Sequence, residues 1–539
     1  MVRFGKFGTQ NKGRKMANIV GIDLGTTFSA LAVLNAIGKP EIVPNADGER
    51  LTPSAIFFDE ESSDIIRVGI EAINSRHLNA ERSVRWIKRY MGDAKYRKKV
   101  DDKDWTPVEL SALILKKLKQ ECSAEHGEGP RFAGTQISDV VISVPAHFDE
   151  ARRKATMDAG TMAGLNVIGI VNEPVAAALY YATTREVSGK VLVYDLGGGT
   201  FDVTIMDVRG HQMNIVCSQG DHALGGVDFD KEILKMLEQS YKEKFNAELI
   251  NSDEDRAKYE DEAEDVKKTL SRRKTAKKML YGSAGNLKVE ITREMFEQAI
   301  SSLIARTDIL VEVALEEAGI EASGIDKVLL VGGSTRIPLV QQRLEKTFGF
   351  PPETAVNVDE CVALGAALQA GLTMLREKPE AVPSGISSGL NDINLTDVCN
   401  HSYGTICAPV DNETGRRVVQ NRIILKKNTP LPCEASQMFY TISKGQTEVE
   451  VTITQGEDTA PEYVNRIATH KFKLPEDRPA KCPIKVTYSY DLNQRMHCSF
   501  QDLESGSVLE VDFSLNKNGQ MSQSDIKQKT QKLEHLKVE

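Results

Sequence analysis

No stretch of this 539-residue sequence is apolar for the roughly 18 residues that a membrane span needs. The first fifteen residues are basic and polar and lack the apolar segment of a secretory signal. Residues 1–16 are therefore expected to be a disordered extension, with Met16 an alternative start. A basic excess is also missing. The net charge is −9, which argues against a nucleic-acid partner because no cationic surplus exists to hold phosphates. Eight cysteines occur without a single CxxC pair, so buried reduced thiols are expected rather than a metal or redox centre, and the cytoplasm is the expected compartment. What remains is ordinary globular composition, 40% hydrophobic and 27% charged. The length suggests roughly three or four domains.

The most informative stretch is KVLVYDLGGGTFDV. Val191 to Tyr194 read as a buried strand, Asp195 ends it, and Gly197, Gly198, Gly199 and Thr200 form a corner without bulky side chains. Phe201, Val203 and Ile205 then alternate with Asp202, Thr204 and Met206 as a departing strand. Glycines let backbone N–H groups approach a phosphate, and a threonine hydroxyl adds a donor. Carboxylates beside such a loop would repel phosphate unless a cation lay between them, so Asp195 and Asp202 suggest Mg²⁺. A plain hairpin turn is the competing reading. IVGIDLGTT, with Asp23, Gly25, Thr26 and Thr27, repeats the pattern. Two such corners look like halves of a duplicated fold facing one phosphate chain.

Along the chain, 30–58 hold short strand-like runs, and 81–91 (ERSVRWIKRYM) read as a helix carrying Lys88. Thr106-Pro107-Val108-Glu109 is a capping box that opens a helix to about residue 124. Val140–Val144 ends at Pro145, a helix with Arg153 follows, then the strand 167–171 leads to Glu173 and an alanine-rich helix. Alternating strands and helices with polar strand ends are the grammar of an α/β ligand site. Gly225 and Gly226 lead into a long helix, 251–278 read as a charged helical surface, and VLLVGGS repeats the strand-then-glycine theme before a helix from about Ile337. Residues 377–391 have a linker composition, 398–516 read as a β-sandwich, and 517–539 as a polar tail.

Together, GIDLGTT, VISVPAHF, NEPVAAAL, YDLGGGTFDV, LGGVDFD, VLLVGGSTRIP and ALGAALQAG resemble the DnaK-type seventy-kilodalton heat-shock chaperone family, over about 17–516. The resemblance implies an α/β, actin-like, two-lobed ATPase domain (17–378), a linker (379–397) and an all-β sandwich (398–516) that binds peptide. It implies ATP or ADP with Mg²⁺ as ligands. Lys88, Glu173, Asp195 and Thr200 would place the attacking water, and Asp23, Asp195 and Asp202 would surround the hydrated metal. Gly25, Thr26, Thr27, Gly197, Gly198 and Gly199 would hold phosphates, with Gly225 and Gly226 nearby. Glu264, Lys267, Lys268 and Ser271 would meet the adenosine opposite Gly332, Gly333, Ser334, Arg336 and Asp359. Pro145, Arg153, Asp392 and Asp397 would couple the domains. Phe439, Val449 and Val451 fall at the family's peptide cleft, where ordinary sandwich core is the other reading.

Five departures stand out. The family's helical lid is not found after the sandwich, and Asn394 and Thr396 replace apolar linker positions. Gly169 stands where an arginine meets the J-domain co-chaperone, Lys268 replaces an adenine-stacking arginine, and Phe28 a tyrosine. None removes a phosphate or metal group. The expected function is thus an ATP-dependent chaperone for unfolded or extended polypeptides, with a nucleotide exchange factor as a further partner. The alternatives are a regulatory ATP-binding homologue without a productive peptide cycle, an actin-fold metabolite kinase, or a filament-forming relative.

Overall fold

The computed structural model describes residues 18–62, 64–123, 137–185, 188–354, 357–410, 413–512 and 523–539. The extension expected over 1–16 lies outside them, as does the start of the tail at 517–522. Among the described residues no helix is long and apolar enough to cross a membrane. Cys217, Cys361, Cys399, Cys407, Cys433 and Cys482 form no disulfide.

Two six-stranded sheets share one topology. In the first, Asn18–Leu24 lies between Ile137–Val144, parallel to it, and Phe28–Leu34, antiparallel to it. In the second, Ser188–Leu196 lies between Lys327–Val331, parallel, and Phe201–Arg209, antiparallel. Each sheet extends by another parallel strand on one side (Asn166–Asn172; Glu353–Thr354) and another antiparallel strand on the other (Pro40–Ile42; Gln212–Asp221). The repeat seen in the two glycine corners is therefore a repeat of strand order.

Two helices rich in small residues, Glu173–Thr184 and Cys361–Glu377, pack on each other and on the first sheet. A Cβ on Gly365 would lie 1.8 Å from the carbonyl oxygen of Ala176, and one on Gly21 2.0 Å from the nitrogen of Ala367. Backbones approach this closely only where side chains are absent.

Residues 81–91 are not an α-helix. Ser83–Arg85 is a strand paired with Ala55–Phe58, Trp86 takes a left-handed backbone (φ 59°), and Ile87–Tyr90 is a single tight turn. Pairing to the neighbouring strand overrides the local helical pattern here. The tight turn aims Lys88 inward, 4% exposed. The capping box is present, Thr106 and Glu109 bonding reciprocally at the head of Pro107–Ser123. The charged stretch 251–278 divides into the helix Asp253–Arg272 and the first strand of a hairpin, Thr275–Gly282 with Gly285–Thr292. Arg76 and Arg85 reach from the first half of the molecule to Asp261 on that helix, at 2.9 and 2.6 Å.

The linker-like stretch is ordered. Ser384–Leu390 is a short helix with Ile386 and Leu390 buried, and Asn394–Thr396 adds a sixth strand to the second sheet, parallel to Gln212–Asp221. Beyond it, two four-stranded antiparallel sheets enclose one core containing Tyr403, Ile453, Tyr488 and Phe500. The alternation of apolar and polar residues in Pro483–Tyr490 matches its alternating burial. The tail forms the helix Gln523–Glu534 and the strand Lys537–Val538, which joins a small sheet in the first half.

Candidate functional site: a glycine-walled cleft and a sandwich docked beside it

The two glycine corners face each other across a cleft of about 400 Å³. From the first come Asp23, Gly25, Thr26 and Thr27; from the second, Asp195, Gly197, Gly198 and Thr200. The corners nearly touch, since a Cβ on Gly198 would lie 2.0 Å from Thr27 Oγ1, and one on Gly199 2.6 Å from Thr26 Cγ2. Gly225 closes on the same loop: a Cβ there would come within 2.6 Å of the Gly199 nitrogen. Gly225, Gly226 and Gly199 thus form the layer behind the lining rather than the lining itself. Backbone without side chains is what lets an anion approach closely.

Lys88 enters from the tight turn and Glu173 from the first turn of its helix, and the Lys88 ammonium donates directly to the Glu173 carboxylate. Asp195 and Asp202 oppose each other in register across the hairpin. Asp202 lies behind the lining, 1% exposed. Its Oδ1 accepts from the His147 amide at 3.1 Å, while its buried Oδ2 has no partner. Asp23 Oδ1 accepts from Ser143 at 2.7 Å.

Three buried carboxylates and the half-buried Asp23 share one ammonium, and their proton affinities rise accordingly. Burial, then Glu173, pushes Asp202 up to about 8. Burial and the neighbouring Glu173, Asp202 and Asp23 push Asp195 well above the usual carboxylate range. Burial raises Glu173 to about 6, opposed by Lys88, and raises Asp23 in the same direction. Burial disfavours the Lys88 ammonium, but Glu173, Asp23 and Asp195 outweigh it and raise its pKa. Such a cluster is short of positive charge, and an orphaned carboxylate oxygen within it fits a cation. Among the described residues, no three acidic, imidazole or thiol groups converge as a direct metal-ligand set.

Further along the cleft lie Glu264, Lys267, Lys268 and Ser271 from the helix Asp253–Arg272. Gly332, Gly333, Ser334, Arg336 and Asp359 line the opposite side. Glu264 is held down at about 2: burial opposes this, but Lys268, Arg85 and Lys267 prevail. Ser334 bonds the Gly197 carbonyl at 2.8 Å, Lys267 pairs with Asp230 at 2.7 Å, and Arg336 pairs with Asp359 at 2.6 Å. Sequence reasoning overlooked Arg272 and the apolar lining of Leu51, Val331, Ile337, Val358 and Val362. It also overlooked the supports Ser143, Arg85 and Asp230. A helix repeat in 253–272 could have flagged Arg272 beside Lys268; the supports carry no local signal.

Arg153 is 1% exposed and organises a second region. It donates to the carbonyls of Phe148 (2.9 Å) and Ala146 (3.0 Å), to Asn172 Oδ1 (2.8 Å), and to Gln494 of the sandwich. Gln494 in turn donates to Asp397. Glu150 receives hydroxyl bonds from Tyr403 (2.6 Å) and Tyr490 (2.8 Å), both from the sandwich. Pro145 begins the turn that holds His147 and accepts from the Phe148 amide. Of the four residues expected to couple the domains, Asp392 stands apart, exposed in the turn before Asn394–Thr396. Gly169 lies against the sandwich: a Cβ there would be 3.8 Å from Asn493.

Phe439, Val449 and Val451 line a separate cleft of about 560 Å³ between the two sandwich sheets, with Ile484, Val486 and Phe500 at its floor. Val451 is also core, 4% exposed. Tyr440, Ile442 and Val419 stand exposed around the same cleft.

A profile of the Hsp70 protein family matches residues 19–539. The chain is 37% identical over 520 residues to the chaperone protein DnaK of Thermotoga neapolitana, covering 94% of this chain and 82% of that one. It is 37% identical over 522 residues to DnaK of Thermosipho africanus, covering 95% and 82%. DnaK of Thermotoga maritima is 36% identical over 520 residues, covering 94% and 82%. With a family match across nearly its whole length and these relatives beside it, the chain belongs to the Hsp70 family of chaperones.

Proposed function

We propose that the protein is an ATP-dependent chaperone in which a two-lobed, actin-like unit hydrolyses ATP and the sandwich holds an extended apolar segment of an unfolded polypeptide. The observation that carries this reading is the convergence of two glycine corners, the Lys88 ammonium and the carboxylates of Asp23, Glu173 and Asp195 on a single cleft, with Asp202 buried behind it. Thr26, Thr27, Gly197, Gly198 and Thr200 would hold the phosphates, and Glu264, Lys267, Lys268, Ser271 and Arg336 the nucleoside. Asp23, Asp195 and Asp202 would hold hydrated Mg²⁺. When bound, the metal supplies charge neutralisation to the phosphate oxygens.

Phosphoryl transfer to water needs in-line placement and cationic charge more than a covalent nucleophile. Lys88 is fixed by Glu173 and supplies a buried cation at the cleft's end. Glu173, raised to about 6, is a suitable acceptor for a proton from water near neutrality. Asp195 and Thr200 would orient that water.

Continuity from cleft to sandwich supports coupling between them. Asn172, bonded to Arg153, immediately precedes Glu173, and the 145–148 turn held by Arg153 also supplies the amide on Asp202. Docking of the sandwich on Arg153 and Glu150 therefore bears on two residues of the cleft. The same reading carries a cytoplasmic setting, a nucleotide exchange factor, and a J-domain contact altered by Gly169. The test is single-turnover cleavage of ATP by Lys88→Ala. The rate is expected to fall about 100-fold or more with nucleotide affinity largely kept, and an unchanged rate would remove Lys88 from the reaction.

A further inference from the structure

The tail composition is polar, but three of its apolar residues are spaced to be buried together. Leu533, Leu536 and Val538 are 3%, 8% and 8% exposed and join the core of the first half, alongside Ile66, Leu110 and Leu115. Lys537–Val538 runs parallel to Ile65–Val68 and occupies the outer edge of that small sheet. The Lys537 amide donates to the Asp64 carbonyl (2.8 Å), the Glu539 amide to Ile66 (2.9 Å), and the Val68 amide to Glu539 (2.7 Å). Lys116 caps the end of the tail helix, donating to the carbonyls of Leu533 (2.6 Å) and Leu536 (2.9 Å). Lys529 pairs with Glu109 at 3.1 Å. A helix end capped by a lysine from a neighbouring element, a ladder of backbone bonds and three buried apolar side chains make a specific seat.

The tail helix also packs on Glu150–Met162, whose first turns carry Glu150 and Arg153, the groups that hold the sandwich. The last sandwich strand ends at Asp512, with only ten residues between it and Gln523. Chain on both sides of the sandwich is thus anchored by strand addition: Asn394–Thr396 to one sheet, Lys537–Val538 to another. A segment anchored about ten residues away raises the effective concentration of its neighbour at the docking face without any new contact there.

We propose that residues 523–539 form a clasp that seats on the edge of Ile65–Val68 and on Lys116, and holds the sandwich against the Glu150–Met162 helix. The clasp sets the balance between docked and released sandwich. It does not depend on ATP cleavage, so its test is read without turnover.

The experiment is amide hydrogen exchange on the full chain, comparing the natural sequence with Leu536→Asp/Val538→Asp. Exchange at 394–396 and 491–496 is expected to rise about tenfold on release of the clasp, while exchange at 191–196 stays unchanged as a control for folding. Lys116→Gln loosens the seat without placing charge in the core and is expected to act in the same direction, which keeps the test open should the double variant fail to fold. Faster exchange at 533–539 with no change at 394–396 would overturn the clasp. A free peptide of sequence 523–539, added to the double variant, is expected to protect 65–68 but not 394–396, because only a tether raises local concentration. Protection of both would overturn the tether and leave a purely local packing role.

Discussion

Single side chains carry the most exposed consequences of this fold. Arg478 and Asp502 form a bidentate pair at 2.7 and 2.8 Å, their side chains 5% and 0% exposed. The Arg478 bonds hold the Asp502 carboxyl down at about 2, below its ordinary value. A depressed folded pKa stabilises the fold above the unfolded pKa, near 3.9, and that contribution is lost as pH falls toward 2. Asp502→Asn strands a buried guanidinium, with an expected loss of about 3 kcal/mol at pH 7. Exchange at 483–490 under increasing urea would measure it, and the gap between variant and natural protein should close as pH approaches 2. Lys88 makes a related point. Its burial was not legible in the sequence because the residues around it carry a helical pattern, whereas strand pairing of Ser83–Arg85 and the left-handed Trp86 decide its direction.

Among the elements, the hairpin turn 491–495 combines a local penalty with a long-range bond. Gln494 adopts φ 58°, a conformation that side chains other than glycine's favour little, yet its amide joins Arg153 to Asp397. Gln494→Gly relieves the backbone and removes the bridge. The sandwich itself should unfold no more easily, while exchange at 394–396 rises about tenfold. A loss of sandwich stability instead would mean that the turn depends on the bridge. Elements with their own punctuation were readable in advance: the capping box at Thr106, the glycine corners, and the alternating strand Pro483–Tyr490. The helix Ser384–Leu390 was hidden, because glycine and serine suggest a free linker and only the packing of Ile386 and Leu390 makes it helical. The tail strand was hidden for a similar reason, its partner lying more than 460 residues upstream.

Across the whole molecule, the duplicated strand order and the position of the cleft between its copies followed from the two repeated corners. What no local pattern could supply was the relation of the sandwich to the rest, which depends on Glu150, Arg153 and Asn172 finding partners more than 200 residues away. If that docked arrangement opens the apolar cleft, a bound extended peptide should dissociate at least about tenfold faster with ATP than with ADP. Fluorescence anisotropy of a labelled apolar peptide reads this directly, and equal off-rates would separate nucleotide cleavage from peptide exchange in this chain.

The two strand additions have another consequence. Asn394–Thr396 and Lys537–Val538 each cover the outermost strand of a sheet, so their backbone N–H and C=O groups stand where unpaired ones would otherwise face solvent. When the sandwich leaves and these short strands lift, two sticky borders are bared at once. In that open form the chain offers templates onto which extended chains, including its own copies, can add.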